Sequence, residues 1–192
     1  MNNMYEELLV ETISKSEPLT RVLQVLKKLN LPFDYYVGAG CITNTIWNEK
    51  SGYALDYGIS DIDIVYYDSG DMTSERENEL KFELISQLGD FQFKLDVKNQ
   101  ARVHMWYEDK FGFPIKPYLS LEAAIDSWPT TATAIGVRME KNDLFKIYAP
   151  YQLDDLFSLV VRPNKRMVTK EIFENKASKW KEKWPKLEII PW

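Results

Sequence analysis

Asp61 and Asp63, separated by one residue, sit in the run AspIleAspIleValTyrTyrAsp (61–68), whose Ile, Val and Tyr content reads as a β-strand. Side chains alternate faces along a strand, so both carboxylates point the same way with Cα atoms about 6.6 Å apart. Such a pair can grip one or two divalent cations. Folding alone gives no reason for it, because Asp has poor strand propensity and repels a like charge beside it. The plainer alternative is that Ser60 and Asp61 end a loop and that Asp63 is merely exposed. A third carboxylate, Asp96, lies in PheGlnPheLysLeuAspValLys (91–98), between Leu95 and Val97. If that alternating stretch pairs with 61–68, Asp96 joins the cluster.

A second feature precedes the pair. Gly38-Ala39-Gly40-Cys41 leads from a short strand (33–37) into a helix start at 42–47. Unpaired N–H groups and the positive end of the helix dipole favour a phosphate there, although glycines also serve plain tight turns. No Gly-Lys-Ser/Thr follows, and the spacing is not that of a dinucleotide fingerprint. Cys41 is either a thiol activated at a helix N-terminus or a small core residue. Lys98, Asn99, Gln100, Arg102 and His104 follow the strand bearing Asp96, so they can ring the same cleft. A guanidinium at Arg102 suits phosphate oxygens, whereas a lone His104 is more often a hydrogen-bonded structural residue.

The elements that must position these residues can be read from periodicity. Two helices open the chain, the first with Leu8, Leu9 and Ile13 at helical spacing and the second starting at Ser16-Pro18 and running through Leu29. A polar loop is expected at 48–58, a helix at 73–88 carrying Leu80, Leu84 and Leu88, and a capped helix at 120–126. Stretches 131–139 and 143–149 flank a turn and read as a hairpin. Helices at 153–160 and 169–184 close the chain, the latter placing Phe173, Ala177, Trp180 and Trp184 on a stripe that docks on the core. The fold class expected is α+β, as one compact unit with a core at 18–100 and an extension at 101–192.

Composition excludes several classes. With 192 residues, 45% hydrophobic and 28% charged, the chain can bury a core without staples. One cysteine and one histidine rule out an intramolecular disulfide and a Cys/His zinc site, leaving oxygen ligands for any metal. No apolar run approaches a membrane span, and the first residues show no basic-then-apolar leader, so a cytoplasmic protein is expected. Residues 162–192 carry nine Lys/Arg against four Glu, +5, leaving −10 for the rest. The acidic body argues against a general nucleic-acid coat, while the basic tail is either a solvated helix face or a local anionic contact.

Phosphate turn, helix, strand with Asp-x-Asp, helix, strand with a third Asp: this order resembles the DNA polymerase β-like nucleotidyltransferase superfamily. Blocks such as GlyAlaGlyCysIleThrAsnThrIleTrpAsn, SerAspIleAspIleValTyrTyrAsp, ValLysAsnGlnAlaArgValHisMetTrpTyr and ThrAlaThrAlaIleGlyValArg are similar to a bacterial nucleotidyltransferase-like family over most of the chain. The head domain of CCA-adding enzymes is a more distant likeness. The resemblance implies a polymerase β-type fold, a mixed sheet flanked by helices with a C-terminal hairpin and helical extension. It puts Asp61, Asp63 and Asp96 in the place of the Mg²⁺ (or Mn²⁺) ligands, and Gly38, Ala39, Gly40 and Cys41 in the place of the loop that holds a nucleoside triphosphate. One departure stands out: the usual Gly-Ser pair is here Gly38-Ala39 or Gly40-Cys41. The activity implied is transfer of a nucleoside monophosphate from the triphosphate to an unknown acceptor hydroxyl, of protein, RNA or a small molecule. The alternative is a catalytically silent relative that binds nucleotide or a partner.

Overall fold

The computed structural model describes the backbone of residues 2–192 and the side chains of residues 4–192. Helices α1 (Asn2–Lys15) and α2 (Glu17–Leu29) come first, α2 opening on Glu17-Pro18 and burying Leu19, Val22, Leu23 and Leu26. Then β1 (Tyr35–Gly38), α3 (Gly40–Ser51), β2 (Asp61–Tyr66), α4 (Glu75–Leu88) and β3 (Lys94–Asn99) follow in the expected order. A 3₁₀ turn (Gln100–Met105), α5 (Tyr107–Phe111) and α6 (Leu121–Ile125) lead to β4 (Gly136–Met139) and β5 (Phe145–Tyr148). The chain ends with α7 (Asp154–Phe157), β6 (Val160–Val161), α8 (Lys170–Lys183) and β7 (Glu188–Ile189).

Five strands form one mixed sheet in the order β3-β2-β1-β4-β5. Only β2 and β3 run parallel, because the helical crossover α4 returns the chain to the same end; the other pairs are antiparallel. The expected α+β class and helix-flanked mixed sheet are what the structure has. Since β4 pairs with β1, the sheet spans both the stretch before residue 100 and the stretch after it.

Several boundaries shift for local reasons. The helix expected at 42–47 continues to Ser51 and stops at Gly52, whose φ of 77° takes the left-handed cap. Residues 131–135 do not extend as strand: Thr130 and Thr133 bond each other through their hydroxyls at 2.8 Å, and the Thr133 N–H donates to Thr130 Oγ1. Such side-chain bonds compete with the sheet ladder. The closing helix at 153–160 is a single turn, because Val160 and Val161 leave it to pair in parallel with Glu188 and Ile189. The 3₁₀ turn after β3 was not expected; Asn99 starts it by accepting the Ala101 N–H.

The terminal helix docks as its stripe predicts. Phe173, Ala177 and Trp184 are buried, and Trp180 is packed against the core. Trp47 of α3 meets Trp180 and Trp184 edge-on at 5.7 and 5.5 Å. Trp184 Nε1 donates to Asn48 Oδ1 at 2.7 Å, and the Asn48 amide donates in turn to Leu55 O and Tyr57 O. Among the described residues, no helix is long and apolar enough to cross a membrane.

Gly38 illustrates how tightly the sheet is covered. A Cβ there would stand 2.6 Å from Trp128 Cη2 and 3.0 Å from Ile135 O, so the indole can lie against β1 only over a glycine. Gly38→Ala is expected to cost about 1–3 kcal/mol by overpacking, read as a lower melting temperature. Gly38→Ala with Trp128→Leu should recover part of that loss in a double-mutant cycle. Strictly additive losses would show that the ring contact is not the cause.

Candidate active site

The parallel register of β2 and β3 sets Asp63 opposite Asp96 and Asp61 opposite Lys94. Because side chains alternate, Asp61, Asp63 and Asp96 share one face, while Ile62, Ile64, Leu95 and Val97 are buried on the other. Lys98, two residues beyond Asp96 on the same face, pairs with it at 3.1 Å. The Asp63 carboxyl is pushed up to about 7, first by burial and then by the negative charges of Asp61 and Asp96, against an opposing pull from Lys176 and Lys98. The three carboxylates are therefore close enough to repel one another.

Beside Asp63 opens a cavity of about 280 Å³. Asp63, Lys98, Gln100, Ser127 and Lys176 supply its polar side, and Ala39, Val65, Trp106, Tyr107, Phe111, Tyr118 and Trp128 are among its apolar and aromatic walls. Most of those walls come from chain after residue 100. The sequence reading missed them and missed Lys176, because no local pattern says which face of α5 or α8 returns to the sheet. A cavity of about 310 Å³ between α2 and β4 lies apart from these carboxylates. Its Arg138 is engaged by Asp34 and Glu140.

The loop before α3 is not a row of four free donors. Gly38 is strand, paired with Asp63 and Gly136. Ala39 holds φ 53° and ψ −125°, a conformation natural to glycine, and its N–H donates to Ile135 O at 3.1 Å. Gly40 and Cys41 open α3, where the first N–H groups have no intrahelical acceptor, and a Cβ on Gly40 would meet open space. The Cys41 thiol is turned inward at 2% exposure, donating to Gly38 O at 3.3 Å. Burial pushes its pKa up, the opposite of an activated thiol. Of the two readings of Cys41, the small core residue is the one the structure has, and a side-chain contact from this thiol to phosphate is ruled out by its inward direction.

Three of the five residues expected to ring the cleft do not line it. Arg102 is occupied elsewhere: it pairs with Glu77 at 2.8 Å and donates to Met72 O at 3.0 Å, with little of its side chain exposed. One turn of 3₁₀ helix swings it from the cleft toward α4, a rotation that strand-like extrapolation past Asn99 could not foresee. Asn99 is a structural latch, accepting from Asp68 N and donating to Asp68 O and Asp71 O. His104 does not line the cavity, and its Nδ1 is buried without a hydrogen-bond partner. Gln100 and Lys98 do line it.

A family model described as nucleotidyltransferase matches residues 24–189. The chain belongs to this nucleotidyltransferase family. It is accordingly a transferase that uses nucleoside triphosphates to move nucleotidyl groups. An NMR structure described as revealing a CCA-adding enzyme head domain is 28% identical, with a TM-score of 0.76, covering 96% of this chain and 95% of that one. The Thermotoga maritima CCA-adding enzyme complexed with tRNA shares the fold at 13% identity and a TM-score of 0.54, over 95% of this chain and 42% of that one. An apo tRNA-processing enzyme does so at 17% and 0.51, over 91% and 43%. The chain spans less than half the length of these two enzymes. No curated protein matches it.

Among the described residues, no three carboxyl, imidazole or thiol groups converge into a ready cage for a metal ion. The donor set still suits Mg²⁺ or Mn²⁺, which favour hard oxygens, and Mg²⁺ is usually held by one or two carboxylates plus substrate phosphates rather than by protein alone. Burial and the neighbouring charges of Asp61 and Asp96 together disfavour the Asp63 anion, and a cation would relieve that cost.

Two outcomes follow. A carboxyl whose folded pKa is raised from 3.8 to about 7 stabilises the fold below the lower value, and that contribution is lost as pH rises through the upper one. In chelator, Asp63→Asn should therefore melt above wild type at about pH 8, with the difference shrinking toward about pH 5. A variant that melts well below wild type at both pH values would make the carboxylate structural. For Cys41, alkylation by iodoacetamide should be negligible in the native protein and rapid in denaturant; fast native modification would mean the thiol is in the site.

Proposed function

We propose that this chain transfers a nucleoside monophosphate from a nucleoside triphosphate to an acceptor hydroxyl, with Asp61, Asp63 and Asp96 as its catalytic residues. The observation that carries the reading is the in-register pair Asp63 and Asp96 with Asp61 on the same face, Asp63 lining the cavity and pairing with Gly38 just before α3. The acceptor oxygen attacks the α-phosphorus, the bond to the bridging oxygen breaks, and pyrophosphate departs. Asp96 takes the hydroxyl proton. The N–H groups of Gly40 and Cys41 bind phosphate oxygens, which compensates for the hydroxyl missing from the loop. The aromatic walls hold the base or acceptor and keep water from the phosphorus. Mg²⁺ or Mn²⁺ held by Asp61 and Asp63 would neutralise the triphosphate and acidify the acceptor hydroxyl.

RNA 3′ ends, proteins and small alcohols are the acceptor classes to be compared; the Thermotoga maritima relative, which binds tRNA, makes RNA the first. Each α-labelled triphosphate is incubated with the protein, Mg²⁺ or Mn²⁺ and a cell extract. Label is expected in one acceptor class, with loss of at least about 100-fold in Asp61→Asn and Asp63→Asn, the scale on which removing a principal charge-stabilising group acts. Nucleotide bound equally well with and without the cation and never consumed would overturn the reading in favour of a silent binder.

A further inference from the structure

The basic C-terminal segment has one residue that its docking role does not explain. Phe173, Ala177 and Trp184 fasten α8 to the core, but Lys176, between them, reaches the cavity that contains Asp63. The residue is exposed overall, yet its ammonium end is enclosed enough for burial to lower its pKa. Asp63 acts to raise it, and the positive charge of Lys110 acts to lower it further. Lys110 belongs to α5, whose Tyr107 and Phe111 wall the same cavity, and its ammonium lies 5.3 and 5.4 Å from the ring centres of Trp106 and Phe111. Lys98, the cavity's other lysine, is already paired with Asp96. Among the described residues, Lys176 and Lys110 have no ion-pair partner.

Lys176 lines the cavity from α8, and Lys110 on α5 stands over two of its aromatic walls, Trp106 and Phe111, so ammonium groups from two separate elements border one space. A polyanion between them would meet both charges. We propose that Lys176 and Lys110 form a cationic clamp, built by α8 and α5, for the triphosphate tail of the bound nucleotide. This rests on the proposed nucleotidyl transfer, which puts the α-phosphate at the carboxylates and the outer phosphates beyond them. A triphosphate is favoured over a nucleic-acid backbone because Lys176 lines the same cavity as Asp63, where the reacting phosphate must lie, and because the chain as a whole is acidic at −5.

Calorimetry on the full chain with Mg²⁺ tests the clamp, using inorganic tripolyphosphate as a base-independent probe beside ATP, AMP and a short RNA. Lys176→Ala should weaken tripolyphosphate and ATP about tenfold or more, as loss of a charge-assisted contact does, while AMP changes less than about twofold. Lys176→Arg should restore most of the affinity, Lys110→Ala should show a smaller loss of the same kind, and all three variants should melt within a few degrees of wild type. Unchanged tripolyphosphate affinity in Lys176→Ala overturns the proposal. So does a loss confined to RNA, which would assign the lysines to a nucleic-acid backbone. If Asp63→Asn abolishes transfer while Lys176→Ala binds tripolyphosphate normally, the clamp falls and the transferase reading stands. If wild type binds neither ATP nor tripolyphosphate, both fall.

Discussion

The parallel pairing of β2 with β3 is the constraint on which the rest of this molecule depends. It holds Asp63 opposite Asp96 and sends Ile62, Ile64, Leu95 and Val97 to the buried side, so one register decides both the core and the charged face. A slip of one residue would exchange the two faces and bury carboxylates in a hydrocarbon layer. The apolar side thus keeps the repelling side together. Burial first, and then the charges of Asp61 and Asp96, push the Asp63 carboxyl up, and a cation or a proton relieves both costs.

The C-terminal third then completes what the strands begin. The hairpin β4–β5 adds to the far edge of β1, bringing Trp128 and Ile135 against Gly38 and making Ile135 O the acceptor for Ala39 N–H. Trp184 is tied to Asn48 by a buried hydrogen bond, which fastens the end of α8 to α3. The helix that carries Lys176 and the helix that opens at Gly40 are therefore held in one packing unit.

The loop at Ala39 shows a conflict between local preference and tertiary demand. A φ of 53° with ψ −125° suits glycine better than alanine, and residues held in such regions cost about 1–3 kcal/mol, persisting only when the surroundings over-determine them. Here the surroundings are the Ile135 acceptor and Thr43, whose N–H and hydroxyl both donate to Ala39 O. The result starts α3 immediately after Gly38, which pairs with Asp63 across β1 and β2.

Much of this was legible in the residues themselves. Strand alternation around Asp61, Asp63 and Asp96 depends only on the two-residue repeat of a β-strand, and the glycine-rich turn before a helical pattern depends only on local backbone chemistry, so both could be read before any contact was known. The stripe of Phe173, Ala177, Trp180 and Trp184 was legible for the same reason. Tertiary structure decided the others. Whether Cys41 points inward, whether Arg102 faces phosphate or Glu77, which aromatics wall the cavity and that Lys176 returns to Asp63 all depend on contacts between elements far apart in the chain. Such contacts are set by how helices pack on a twisted sheet, and no local spacing encodes them.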